Sequence, residues 1–186
     1  MPPSVPRQRL PLARGDGCGP SAQRQQRTIA LADALRHLSH DLHPGVLQHA
    51  GLVAALKAHC AVFESQHAVA VTLTAAAGLE VIPQAIALCL YRVAQEALRN
   101  IAAHAGARQA YVTLSRTADG LELTITDDGQ GFDLPTARSR GGLGLISLDE
   151  RVRLVGGSVR INTQMQRGTE LRIQVPLGGH KDAPHG

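Results

Sequence analysis

The sequence predicts an α/β protein. The expected architecture is a two-layer sandwich with a mixed, mostly antiparallel sheet, covered on one face by helices and preceded by a helical segment. Three observations predict it. Apolar residues make up 44% of the chain but aromatic ones only 2%, so the core is built from Leu, Val, Ile and Ala, the side chains that strands and Ala/Leu helices share out between them. The stretch Val81 to His104, VIPQAIALCLYRVAQEALRNIAAH, repeats apolar residues every three or four positions, with no Gly or Pro between Pro83 and Gly106. The segments around it follow the order strand, helix, hairpin, helix, hairpin.

Residues 1–27 carry Pro, Gly and Arg without hydrophobic period and are expected to form a disordered tail or linker. Residues 28–67 form a helical segment. TIALADALRHLSHDL, from Thr28 to Leu42, places Ile29, Leu31, Leu35, Leu38 and Leu42 on one side, and Pro44 ends it. The connector GVLQHAG leads to a second helix from about Leu52 to Gln66. The globular part covers 68–178. Val69 to Thr74 alternates as a strand, and the Val81–His104 helix follows, with Pro83 in its first turn. Ala110 to Arg116 and Leu121 to Asp127 read as a hairpin around Asp119-Gly120. A glycine-rich loop, a helix from about Leu145 to Val155, and strands Ser158–Thr163 and Glu170–Val175 complete it, and 179–186 is a second tail.

Charge and composition narrow the function. The net charge is +4 with Arg far outnumbering Lys, a balance that suits an acidic partner or a phosphate ligand. No basic helix, aromatic stacking platform or zinc spacing supports nucleic-acid binding. Cys18, Cys60 and Cys89 lie far apart without pairing rhythm, which points to a reducing compartment and no disulfide framework. No apolar run is read as long enough to span a bilayer, and no signal-peptide core opens the chain, so a cytoplasmic protein is expected. His37, His40, His43, His49, His59 and His67 crowd the helical segment, but their spacings never join Cys or carboxylates in a zinc pattern.

Four motifs carry chemistry. Glu96, Asn100 and His104 fall at i, i+4 and i+8 beside the apolar face of the long helix. They either floor a pocket or form a solvated helix edge. Asp127, Gly129 and Gly131 form D-x-G-x-G at a strand end, where the glycines permit close ligand approach and Asp127 can accept a hydrogen bond from a heterocyclic amine. An ordinary turn has the same residues. Gly141, Gly142 and Gly144 precede a helix whose free N–H groups and positive end suit phosphate oxygens, or they form a flexible loop and cap. Gly168-Thr169 opens the last strand with a hydroxyl.

Taken in order, QEALRN, DDGQGF, GGLGL and GTEL resemble the Bergerat-type ATP-binding domain (the GHKL class) of two-component sensor histidine kinases, in the NarL/DegS-like branch. LRHLSHDLHPGVLQHAGLVAAL resembles the second dimerisation and phosphotransfer helix of that branch with its connector. The resemblance spans about Leu35 to Leu177 and implies the following. ATP and Mg²⁺ are the cofactors. Asn100 coordinates Mg²⁺, and Glu96 acts as general base or orients the attacking group. Asp127 holds the adenine amine, with Gly129 and Gly131 shaping the pocket. Gly142 and Gly144, with Leu143 between them, approach the phosphates. His104 lines the phosphate side, Thr169 sits near the base, and Phe132 to Arg140 close as a lid.

Two departures stand out. Relatives often carry Lys where Ala103 stands, and no phosphoacceptor helix is recognisable before Thr28. His40-Asp41 imitates an acceptor pair but belongs by its surroundings to the second helix, so no phosphoacceptor is assigned. The implied activity is transfer of the ATP γ-phosphoryl group to a histidine. Implied partners are a response-regulator receiver domain and either a homodimer or a chain carrying the acceptor histidine. The alternative is a non-catalytic module of the same fold that dimerises or docks a regulator; an anti-sigma-type serine kinase fits less well, because two helices precede the domain.

Overall fold

The computed structural model describes residues 45–79, 81–139 and 143–177, which belong to the compact unit Pro44–Gly186. The predicted tails, the predicted helix at 28–42 and Gly142 lie outside the described residues. Helix α1 covers Gly45–Gln66, β1 Ala70–Ala75 and α2 Gln84–Asn100, which runs into a π-helical turn, Ile101–Ala105. Strands β2 (Gln109–Arg116) and β3 (Gly120–Asp127) follow. Next come α3 (Leu134–Ser139), α4 (Leu143–Arg153), β4 (Ser158–Thr163) and β5 (Thr169–Pro176).

The five strands form one sheet in the order β1-β2-β3-β5-β4. β1 runs parallel to β2 and the other neighbours are antiparallel. Parallel neighbours need a crossover, and α2 supplies it. Period-two alternation decides which face is covered: Leu121, Leu123 and Ile125 of β3 and Ile173 and Val175 of β5 are buried, while Glu122, Thr124 and Thr126 between them are half-exposed. Against the buried face α2 presents Leu90, Val93, Ala94 and Leu98, none more than 1% exposed. The expected two-layer α/β sandwich is the architecture found. On the open face Arg172 bridges Glu122 at 3.9 Å and Glu170 at 3.3 Å.

Local structure departs from the sequence reading in four places. The expected connector 45–51 is helical, so α1 starts at Gly45. Gly51, at φ 81° and ψ 178°, breaks the helical path one residue before the predicted start at Leu52. Only glycine takes that conformation readily. By length and mean hydropathy α1 also reaches what a membrane-crossing helix requires, against the expectation that no segment would. Leu47, Leu52, Leu56, Cys60 and Phe63 place one side of the helix in the core.

The long helix changes pitch after Asn100, widening to a π turn that ends at Gly106 in the left-handed region (φ 59°). The segment read as a plain loop contains α3. Asp133 caps it, its carboxylate accepting the Thr136 N–H at 2.9 Å, and Pro135 tolerates a first-turn position. Finally, α4 begins at Leu143, so Gly144 lies inside the first helical turn rather than before it.

Cys60 and Cys89 are free and buried, and burial pushes both thiols up to about 11, so both stay protonated at neutral pH.

Candidate functional site

Between α2, the ends of β3 and β5, and α4 lies a cavity of about 520 Å³. Its apolar wall includes Ile101, Ile125, Leu148, Ile161 and Leu171. Its polar groups are Glu96, Asn100, His104, Asp127, Gln130 and Thr169. The strip on α2 therefore floors a pocket. Glu96 and Asn100 are half-buried, and His104 is carried on the π turn, exposed at the rim. The Glu96 carboxylate is ion-paired with Arg99, three residues on.

Asp127 ends β3 and is 6% exposed. Burial pushes its carboxyl above the usual carboxylate range, the Gly129 N–H pulls it back, the neighbouring Asp128 charge pushes it up, and the Thr169 N–H lowers it. The Gly129 N–H donates to Asp127 Oδ1 at 2.9 Å. Thr169 pairs with Asp127 across the β3–β5 ladder, so both sit at one end of the sheet, facing the cavity.

The glycines serve close approach. Gly129 does not line the cavity. It packs on the π turn, where a Cβ would meet the Ala105 carbonyl oxygen at 2.5 Å. Gly131 does line it, at φ 59°, and a Cβ there would stand 2.1 Å from the Gln164 carbonyl oxygen. Leu143 and Gly144 open α4, and Leu148 of that helix reaches the cavity.

Three contributors were not singled out from sequence. Gln130 lines the cavity and binds the π turn twice: its Nε2 donates to the His104 carbonyl at 2.7 Å and its N–H to the Ala105 carbonyl at 2.8 Å. Asp128, beside Asp127, faces away, and its Oδ1 accepts the N–H groups of Arg108 at 2.8 Å and Gln109 at 2.9 Å. Thr163 ends β4, with its hydroxyl against Phe132 and the Gly168-Thr169 turn. No short-range signal marks them, because each acts on a segment distant in sequence.

The histidine kinase-, DNA gyrase B- and HSP90-like ATPase family model matches residues 86–179, which spans every described polar group of the cavity. The chain belongs to that family. The chain is 36% identical over 149 residues to the sensor histidine kinase MctS of Rhizobium johnstonii, a match covering 79% of the chain and 32% of the relative. It is 31% identical over 143 residues to the signal transduction histidine-protein kinase/phosphatase DegS of Brevibacillus brevis, covering 77% of the chain and 37% of the relative. The chain thus spans about a third of the length of these curated relatives. Among solved structures, the Acinetobacter baumannii histidine kinase AdeS superposes with a TM-score of 0.62 at 13% identity, covering 87% of each chain; it shares the fold. The family and the relatives together identify the chain as carrying the ATP-binding domain of the histidine kinase type.

The N–H groups of Gln109, then of Arg108, hold the Asp128 carboxyl below its ordinary value of 3.8. A depressed folded pKa contributes stability that is present above 3.8 and lost as pH falls through the folded value. Asp128→Ala is therefore expected to melt below the parent at pH 7, with the gap narrowing at pH 3. Thermal melts of both proteins at the two pH values check it.

Proposed function

We propose that the chain binds ATP with Mg²⁺ in this cavity and presents the γ-phosphoryl group to a histidine of another chain or another segment. An intact kinase would then pass that group to a response-regulator receiver domain. The observation that carries the reading is that Asn100 and Asp127, on separate elements, line one cavity of about 520 Å³ together with Glu96, His104 and Thr169. That volume is typical of a small-molecule site. In this reading Asp127 and Thr169 receive the purine edge, with Gly131 letting the backbone approach it. The phosphates extend toward His104 and the start of α4, where Leu143 and Gly144 offer N–H groups. Residues 132–140 close over the nucleotide.

The donor set suits a hard divalent cation. Asn100 and Glu96 lie one helical turn apart on the α2 side of the cavity, and among the described residues no cluster of three or more His, Cys, Asp or Glu is placed to hold a metal ion by itself. Mg²⁺ takes few protein ligands beside phosphate oxygens and waters, and when bound it would neutralise phosphate charge. Asn100 would hold it. Glu96, freed from Arg99, would accept the proton that the acceptor imidazole gives up as its other nitrogen bonds to phosphorus and the bond to ADP breaks. Residues 28–67 would serve as the second dimerisation helix and connector, and 68–178 as the ATPase domain. A cytoplasmic setting follows from the need for ATP.

Calorimetric titration with ATP and Mg²⁺ tests binding, and incubation with γ-labelled ATP and an acceptor-helix fragment tests transfer. Acid-labile label on histidine supports the kinase reading. Binding without transfer to any acceptor would leave a nucleotide-binding docking module, and no Mg²⁺-dependent affinity would sink both.

A further inference from the structure

Thr163 is the last residue of β4 and faces the cavity side of the sheet, in line with Ile161, which lines the cavity. It pairs with Thr169 across the β4–β5 ladder, and Thr169 pairs with Asp127 across β5–β3. Thr163, Thr169 and Asp127 therefore form one row at the end of three adjacent strands. The row is joined by the strand ladders and by side-chain contacts. Thr169 stands opposite Asp127 in the ladder, its N–H close enough to lower the Asp127 pKa. The Thr169 and Thr163 hydroxyls lie 3.3 Å apart. The Thr163 hydroxyl in turn accepts the Phe132 N–H at 3.0 Å.

A threonine hydroxyl has one hydrogen and two acceptor sites. With one site taken by Phe132, the hydrogen has the Gly168 carbonyl at 3.3 Å, the Phe132 carbonyl at 3.4 Å and the Thr169 oxygen around it. Phe132 is where the chain leaves the glycine turn for α3, and Gly168-Thr169 is where it enters β5. One half-buried hydroxyl thus touches both the base of the segment over the cavity and the turn that carries Thr169.

We propose that Thr163 is a positioning residue for nucleotide recognition, holding the Phe132 end of the 132–139 segment in register with Thr169 and Asp127. It touches no ligand itself. The inference rests on reading the cavity as the ATP site, and it goes beyond that reading by assigning the coupling between the purine wall and the closing segment to one hydroxyl. Removing the hydroxyl without changing shape unties two turns that the glycines only allow to meet. The strands stay paired, because their ladder hydrogen bonds are backbone to backbone.

The test compares Thr163→Val, which keeps the shape, with Thr163→Ser, which keeps the hydroxyl. ATP affinity is measured by calorimetry, and Phe132 amide exchange is followed by NMR. The valine variant is expected to bind ATP about fivefold more weakly, the effect of one ordinary hydrogen bond. Its Phe132 amide should exchange faster, while the serine variant restores both readouts to near the parent. Parent-like affinity and exchange in the valine variant would overturn the proposal. So would equal losses in both variants, which would assign the effect to the methyl group. Should the valine variant fail to fold, Thr163→Ala carries the same comparison. Were the parent to bind no ATP, the reading of the cavity would fail, and the Phe132 exchange comparison would still decide what Thr163 anchors.

Discussion

Asp127→Asn is expected to weaken ATP binding by roughly tenfold to a hundredfold while raising the melting temperature at neutral pH. The carboxylate is 6% exposed and its Oδ1 accepts the Gly129 N–H. An asparagine oxygen can take over that bond, which puts its NH₂ group in the place of the other carboxylate oxygen. In the proposed ATP site, a purine amine would then meet a donor in place of a charged acceptor. Losing a charge-assisted hydrogen bond of this kind weakens binding by about 1.5–3 kcal/mol.

The stability half follows from linkage. Burial raises the folded pKa of Asp127 above 3.8, so its contribution to stability is fully present below 3.8 and lost as pH rises through the folded value. At pH 7 the parent carries that penalty and the asparagine variant does not. Melts at pH 7 and pH 3 should therefore show the variant ahead at pH 7 and level with the parent at pH 3. Titrations with ATP and with ITP, whose purine bears a carbonyl in place of the amine, complete the test. A variant that binds ATP as the parent does would remove Asp127 from the purine wall.

Gly168→Ala should be the most damaging single methyl group in the domain. Gly168 sits at φ +74°, and a Cβ there would lie 1.9 Å from the Asp127 carbonyl oxygen and 2.9 Å from its carbonyl carbon. Both are backbone atoms in the β3–β5 ladder, so no rotamer change relieves the contact. The left-handed conformation adds about 1–2 kcal/mol. Together with a forced separation of the two strand ends, the expected loss is about 3 kcal/mol or more, and a fall in melting temperature of roughly 10 °C. Gly78→Ala is the control. Gly78 has nearly the same φ, +79°, but nothing stands within 4 Å of a Cβ there. Backbone strain alone should cost it about 1 kcal/mol. If the two variants melt together, the close approach of the β5 turn to Asp127 does not constrain the fold.

Several features of the site were legible in the chain because they repeat at short range. The helical period from Ile86 to Ala97 marks the buried side of α2, and the same period places Glu96 and Asn100 on its margin. Alternation along LELTITD marks the buried face of β3 and leaves Asp127 on that face at its end. Misread boundaries trace to residues whose local signal is permissive. Gly51 can end a helix or bend one, and Asp133 with Pro135 can turn a loop or cap α3.

What the sequence determined by itself was the α/β class, the order of its elements and the set of candidate polar groups, since periodicity and glycine placement are properties of neighbouring residues. The helix pattern left open whether Glu96, Asn100 and His104 faced water or a pocket, and a pocket was implied only by the family resemblance. Only the tertiary structure decided that, because the opposite wall comes from the end of β3 and from β5, far along the chain. The same holds for Gln130 clasping the π turn, Asp128 pinning the start of β2, and Thr163 joining two turns. A hydrogen bond between distant segments has no period to betray it; it exists once the sheet has set its register.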